Sequence, residues 1–170
     1  MKLKTIFTLF IICLSLINKA QMPYLVKDIE PGTAAGLPTG ITPFYYNGVF
    51  VFVAFNTTTG DELWRTDGTN AGTYLIHDIN PGTASSFPAG FFEFNGELFF
   101  IATTASNGKE LWKTNGTSAG TVLVKDILVG SGSGVATFSV VWQHNSSFYF
   151  RASSTATTNI ELWKSDGTTS

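Results

Sequence analysis

The sequence predicts an all-β fold of tandem four-stranded, β-propeller-like blades, about three of them with the last incomplete. Three observations predict it. A stretch with Leu-Trp at its centre and Gly-Thr at its end occurs three times, placing Trp64, Trp112 and Trp163 about 50 residues apart; self-similarity at such a period marks stacked repeats or propeller blades. Two Asn-Gly pairs, Asn47-Gly48 and Asn95-Gly96, each lie between apolar runs, the strongest short-range hairpin signal. The run Val49-Phe50-Val51-Phe52-Val53 has no polar alternation, as in a strand covered on both faces. One sheet should therefore lie between two others, whereas a two-layer sandwich would alternate polar and apolar residues.

The chain opens with the basic Met1-Lys2-Leu3-Lys4, an apolar run from Thr5 to Ile17 and a polar close at Asn18-Lys19-Ala20. This order predicts a secretory signal peptide over residues 1–20, cleaved near Ala20. The apolar run of roughly a dozen residues is short of the 20 or so that span a membrane, so the mature chain is expected to carry no membrane span. Cys13 is the sole cysteine, and Ile11 and Ile12 before it do not suit a lipidation site. The mature chain then has no disulfide and must be held by its core alone. Its composition allows this, with 44% hydrophobic and 14% aromatic residues. Loss of Lys2, Lys4 and Lys19 takes the formal net charge from −2 to about −5. With no Lys/Arg cluster, that balance argues against nucleic acid and anionic membrane surfaces as partners.

Residues 21–170 are expected to form one repeat domain, in units 24–73, 74–121 and 122–170, truncated at the C-terminus. Tyr24-Leu25-Val26-Lys27-Asp28-Ile29 reads as a short strand closed by Pro31-Gly32; it returns as Tyr74 to Ile79 and as Val122 to Ile127. A loop rich in Gly, Ser, Thr and Pro follows each copy. Next comes a hairpin, whose third version turns at Asn145-Ser146-Ser147 without the freedom of glycine. The tryptophan strand follows, with Leu63, Leu111 and Leu162 on one face and Trp64, Trp112 and Trp163 on the other. It ends in a turn made by Asp67-Gly68-Thr69, Asn115-Gly116-Thr117 or Asp166-Gly167-Thr168. The opening strand is a spare copy of the last strand of a unit, able in principle to complete the final blade.

The repeated Glu-Leu-Trp-x-x-Asp-Gly-Thr, followed by Gly-Thr, Leu-Val-Lys-Asp-Ile and Pro-Gly, resembles the ELWxxDGT repeat family of exported bacterial proteins. The match runs from Tyr24 to Thr168, and Asn115 stands where the pattern has Asp. The resemblance implies a secreted or cell-surface protein with propeller-like repeats, often joined to a C-terminal sorting domain that is not recognisable here. It implies no activity.

Asp67, Asn115 and Asp166 invite a calcium reading, but calcium sites gather several oxygens in a short loop and each turn offers one. Turn capping, with glycine at positive φ, explains them more simply. No cofactor is expected. The tryptophans suit either a sugar-stacking platform or packing between blades, in which each N–H would find a partner in the next blade; recurrence in every unit favours packing. Glu62, Glu110, Glu161, Asp28, Asp78 and Asp126 recur with the repeat, and the non-repeating pair Glu93 and Glu97 flanks a hairpin turn, where both should be solvated. His77 and His144 lack metal-ligand spacing. No catalytic residue is assigned. The leading expectation is a non-catalytic exported repeat protein that binds polysaccharide or a protein partner. Alternatives are a structural spacer, or a piece of a propeller enzyme with its catalytic residues elsewhere. That enzyme would be of glycoside hydrolase type or of quinoprotein type, whose tryptophan-bearing strands Asn107 to Lys113 is similar to.

Overall fold

The computed structural model describes residues 22–135, 141–155 and 159–169. The expected signal peptide, with Cys13 and the cleavage expected near Ala20, lies outside the described residues. The fold is all-β, in three antiparallel sheets. The first contains β1 (Phe44–Tyr46), β2 (Val49–Asn56), β3 (Gly60–Thr66) and β4 (Tyr74–His77) in that order. The second repeats the pattern with β5 (Ala89–Phe94), β6 (Glu97–Thr104), β7 (Gly108–Thr114) and β8 (Val122–Lys125). The third has three strands, β9 (Trp142–His144), β10 (Ser147–Ala152) and β11 (Glu161–Ser165), with β11 at its edge.

Turn chemistry sets the register. Asn47 and Gly48 have φ of 47° and 83°, and Asn95 and Gly96 have 51° and 77°, so both central residues of each hairpin take the left-handed conformation that matches strand twist. The third hairpin is a two-residue turn, since Ser147 pairs with His144; Asn145 alone has positive φ, at 54°.

The sheets stack face to face. Leu98, Phe100, Ala102 and Trp112 of the second sheet pack on Tyr46, Val51 and Leu63 of the first. Phe99, Ile101 and Leu111, on the opposite face, pack on Phe148, Phe150 and Ala152 of the third. Phe148 has ring neighbours at 5.1 Å (Phe92), 5.1 Å (Phe94) and 5.0 Å (Phe99), within the range of favourable aromatic contacts. The strand covered on both faces throughout is thus β6, where Leu98 through Ala102 are all buried. β2 carries the same apolar pattern and is buried on both faces along its middle, with Val51 0% exposed on one and Phe52 and Ala54 6% and 0% exposed on the other, while Phe50 is 48% exposed. Coverage depends on which sheets flank a strand as well as on its residues.

Tyr24 to Ile29 forms no strand, contrary to expectation. A strand needs a partner edge, and the tryptophan strand that would supply one is not beside it. The segment lies instead across the first sheet: Asn70 Nδ2 donates to Val26 O at 3.1 Å, and Asn56 Nδ2 donates to Ile29 O at 3.0 Å. It does not complete the third sheet.

Candidate functional site

The most deeply placed titratable groups are Glu62 and Glu110, adjacent to the Leu-Trp pair and both 0% exposed. Glu62 accepts from the backbone N–H of Ile79 (3.0 Å), Asn80 (3.4 Å) and Ser86 (3.0 Å), and from the Ser86 hydroxyl. Glu110 accepts from the N–H of Ile127 (3.2 Å), Leu128 (3.3 Å) and Gly134 (2.6 Å). Each carboxyl fastens the loop that leads out of its own sheet into the next unit. Burial pushes both pKa values up, the hydrogen bonds only partly offsetting it. Glu161, in the same place on β11, is exposed. A recurring acid inside an apolar strand with no cation opposite was the available sequence signal for this role.

The turn residues form a second repeated unit. Asp67 Oδ1 accepts from Thr69 N (2.9 Å) and Thr69 Oγ1 (2.7 Å); Asn115 does the same with Thr117 (3.0 and 2.7 Å), and Asp166 with Thr168 (2.9 and 2.7 Å). The threonine hydroxyls hold the Asp67 and Asp166 carboxyls below the usual aspartate range. Gly68, Gly116 and Gly167 have φ near 87°, a region that glycine enters without steric cost. Gly72 and Gly120 leave room for the capping side chain, because a Cβ there would collide with Asp67 or Asn115. Among the described residues no cluster of three acidic, histidine or cysteine side chains could hold a metal.

Trp64 and Trp112 are each 8% exposed; Trp112 packs against the first sheet, Trp163 against the second, and Trp64 with Ile29 and Ile41 of the segment before β1. The expected hydrogen bond into the next blade is absent: among the described residues the Trp64 and Trp112 N–H groups have no partner. Packing area alone holds these rings. Asp78 and Asp126 accept from the turn N–H groups of Gly82 (3.3 Å) and Gly130 (3.1 Å), and His77 Nδ1 lies 2.9 Å from Ser118 Oγ. Glu93 is exposed, and Glu97, its side chain 36% exposed, is ion-paired with Lys113 at 2.9 Å. Lys113 is bound at that spot because it also donates to Gly167 O at 3.0 Å.

One cleft of about 560 Å³ lies between the first and second sheets, walled by residues 38–44 and 87–91 with Val53 and Asp61. Its walls are largely apolar, and Phe91 bridges Phe44 (6.3 Å) and Phe100 (5.8 Å). At its rim Phe87 has φ of 51° and is 59% exposed. A bulky residue in that region is a genuine outlier, costing about 1–3 kcal/mol. It is held there because Asp61 O accepts from both Ser86 N (3.1 Å) and Phe87 N (3.3 Å), while Ser85 Oγ donates to Asp61 Oδ2 (3.1 Å). Sequence reasoning missed Phe87. The sequence offered little signal for it, because the position is apolar in every unit, as Leu37, Phe87 and Val135.

A second cleft, of about 460 Å³, lies between the second and third sheets beside Trp163, Lys125 and Lys164. Among the described residues, Asp61 is the one carboxylate lining the first cleft and Asp166 the one lining the second.

No family model and no curated relative matches the chain. Among solved structures, an α-L-arabinofuranosidase (CtGH43) from Clostridium thermocellum aligns over 75% of this chain at 18% identity and a TM-score of 0.35. The alignment covers 47% of that protein, so the chain spans about half its length.

Proposed function

We propose that this chain is a non-catalytic exported repeat protein, related to the ELWxxDGT family, whose stacked sheets present a ligand cleft at the cell surface or in the medium. The observation that carries the reading is Phe87. Its ring is turned out to solvent over an apolar cleft by a backbone conformation that costs stability, and such strain persists where the surroundings impose it, often at ligand clamps. Hydrolysis of a glycoside needs two carboxylates in one pocket, and each cleft has one. The buried Glu62 and Glu110 are already committed to backbone amides.

The ligand that suits walls of Pro38, Ile41, Pro43, Phe44 and Phe91 is a protein segment with an aromatic or proline side chain. A polysaccharide would find an aromatic face on Phe87 but few donors around it. The test is titration of the purified protein with a peptide panel and a soluble-polysaccharide panel, followed by ¹⁵N chemical shifts, with Phe87→Ala alongside. Burying one phenylalanine is worth about 1.5–3 kcal/mol, so Phe87→Ala should weaken peptide binding roughly ten- to a hundredfold. Shifts with the polysaccharides alone would replace the ligand class. Binding that Phe87→Ala leaves unaltered would overturn the site.

A further inference from the structure

Two departures from the repeat meet at the first cleft. The position before the recurring glutamate is Asp61 in the first sheet, Lys109 in the second and Ile160 in the third. Its main chain is used alike in the first two sheets. The N–H donates to Ser85 Oγ (2.9 Å) or Ser133 Oγ (3.1 Å), and the carbonyl accepts from Phe87 N (3.3 Å) or Val135 N (3.1 Å). The side chains differ: an acid stands on the cleft wall where the next sheet carries a cation. The residue held by the carbonyl differs as well, since Phe87 is 59% exposed with φ of 51° and Val135 is 0% exposed. Packing between units constrains a repeat, so two exceptions at one contact point to a task particular to that place.

These exceptions, with the other rings of the cleft, define the chemistry of an occupant. Phe87 and Asp61 share the walls with Phe44 and Phe91, whose ring centroids are 6.3 Å apart, and among the described residues no lysine, arginine or histidine lines them. Asp61 Oδ2 accepts from Ser85 Oγ (3.1 Å), and among the described residues no cation pairs with the carboxylate. Aromatic faces attract a cation through the ring quadrupole, and a carboxylate adds charge and strong acceptors. A guanidinium uses both, because it is planar, weakly hydrated, and able to stack on a ring while its N–H groups bond a carboxylate. An ammonium is compact and strongly hydrated, so apolar walls cost it more.

We infer that the first cleft takes an arginine side chain of a protein partner, its guanidinium against the Phe87 ring and the Asp61 carboxylate. The partner's adjoining proline or aromatic residue then rests on Pro38, Ile41 and Pro43. This inference rests on the ligand-cleft reading above and names the group that anchors the ligand. It also gives the ligand a charge opposite to the one acid of the cleft.

The test is a blocked Gly-Pro-Arg-Pro-Gly peptide and its citrulline counterpart, which keeps the shape of arginine without the charge, each titrated into the full chain and followed by ¹⁵N chemical shifts. The arginine peptide should bind about tenfold more tightly. Asp61→Asn keeps an acceptor for Ser85 Oγ and the carbonyl that holds Phe87, and it should cut the preference to about threefold or less, the share that the rings supply. Asp61→Lys, the side chain that the second sheet carries at this place, should reverse the preference. Equal binding of the two peptides to wild type, with Phe87→Ala weakening both, would overturn the guanidinium and leave the cleft as a peptide site. A preference for arginine that survives Asp61→Lys would overturn the role of Asp61. Failure of the arginine peptide where other peptides of the panel bind would overturn the inference alone, and failure of every peptide would overturn it together with the reading beneath it.

Discussion

Replacing Glu110 with alanine isolates the carboxyl that ties the second sheet to the loop after it. The change strands three donors, the N–H groups of Ile127, Leu128 and Gly134. Ile127 and Gly134 are buried and Leu128 half-buried, so water can reach only the last. A buried unsatisfied donor costs about 1–3 kcal/mol, and two of them give about 2–6 kcal/mol, against a total stability of about 5–15 kcal/mol. The molecule provides its own control. Glu161 has the same neighbours in sequence but is exposed, so Glu161→Ala should fall within about 0.5 kcal/mol of wild type in the single chain. Urea unfolding followed by tryptophan fluorescence, at concentrations where the protein is monomeric, reads both. Equal effects of the two substitutions, or a Glu110→Ala midpoint matching wild type, would refute the argument that the amide cluster gives the acid its structural value.

Four further outcomes follow from particular residues. The raised pKa values of Glu62 and Glu110 mean that the folded state binds their protons more tightly than the unfolded chain does. Their stabilising contribution is therefore complete below the unfolded value of about 4.5 and declines as pH rises through the folded values; the stability difference between wild type and the Glu62→Gln/Glu110→Gln double variant should shrink over that rise, and a flat difference would contradict it. Trp112→Ala should cost about 3–5 kcal/mol through lost packing alone, whereas Trp112→Phe should keep much of that stability, since no hydrogen bond is lost; a Phe variant as poor as Ala would revive a polar role. Gly120→Ala, whose Cβ would strike Asn115, should lower the melting temperature, and an unchanged melt would dispose of the crowded-turn account. Phe87→Gly should raise stability by about 1 kcal/mol as strain is released while weakening ligand binding; a loss of stability would mean that the ring packs rather than waits for a ligand.

The hairpins and the capped turns were legible because each is decided within a few residues. Asn47-Gly48 and Asp67-Gly68-Thr69 state their geometry through the conformations that asparagine and glycine accept. Stacking was legible only as a type: the two-sided pattern of Val49 to Val53 was read correctly as apolar on both faces, yet the fully covered strand is Leu98 to Ala102, because coverage is a property of neighbours. The same limit explains Tyr24 to Ile29, which has strand chemistry and no strand. Glu62 and Glu110 were noticed as recurring but not as buried, since nothing local announces that amides lying 17 to 24 residues on will converge on them. Phe87 escaped because its conformation is imposed by the carbonyl of Asp61, a contact between separate strands.

The direction of the glutamate contacts gives the molecule a preferred order of assembly. Each acid waits for amides that come later in the chain, so a sheet emerging from a ribosome is finished only when the loop after it arrives. Growth proceeds like a ratchet, every completed tooth locked by the one behind it, and hydrogen-exchange protection should fall from the first two sheets to the third. Damage to an early tooth leaves everything downstream unlatched, whereas damage to the last leaves the rest in place.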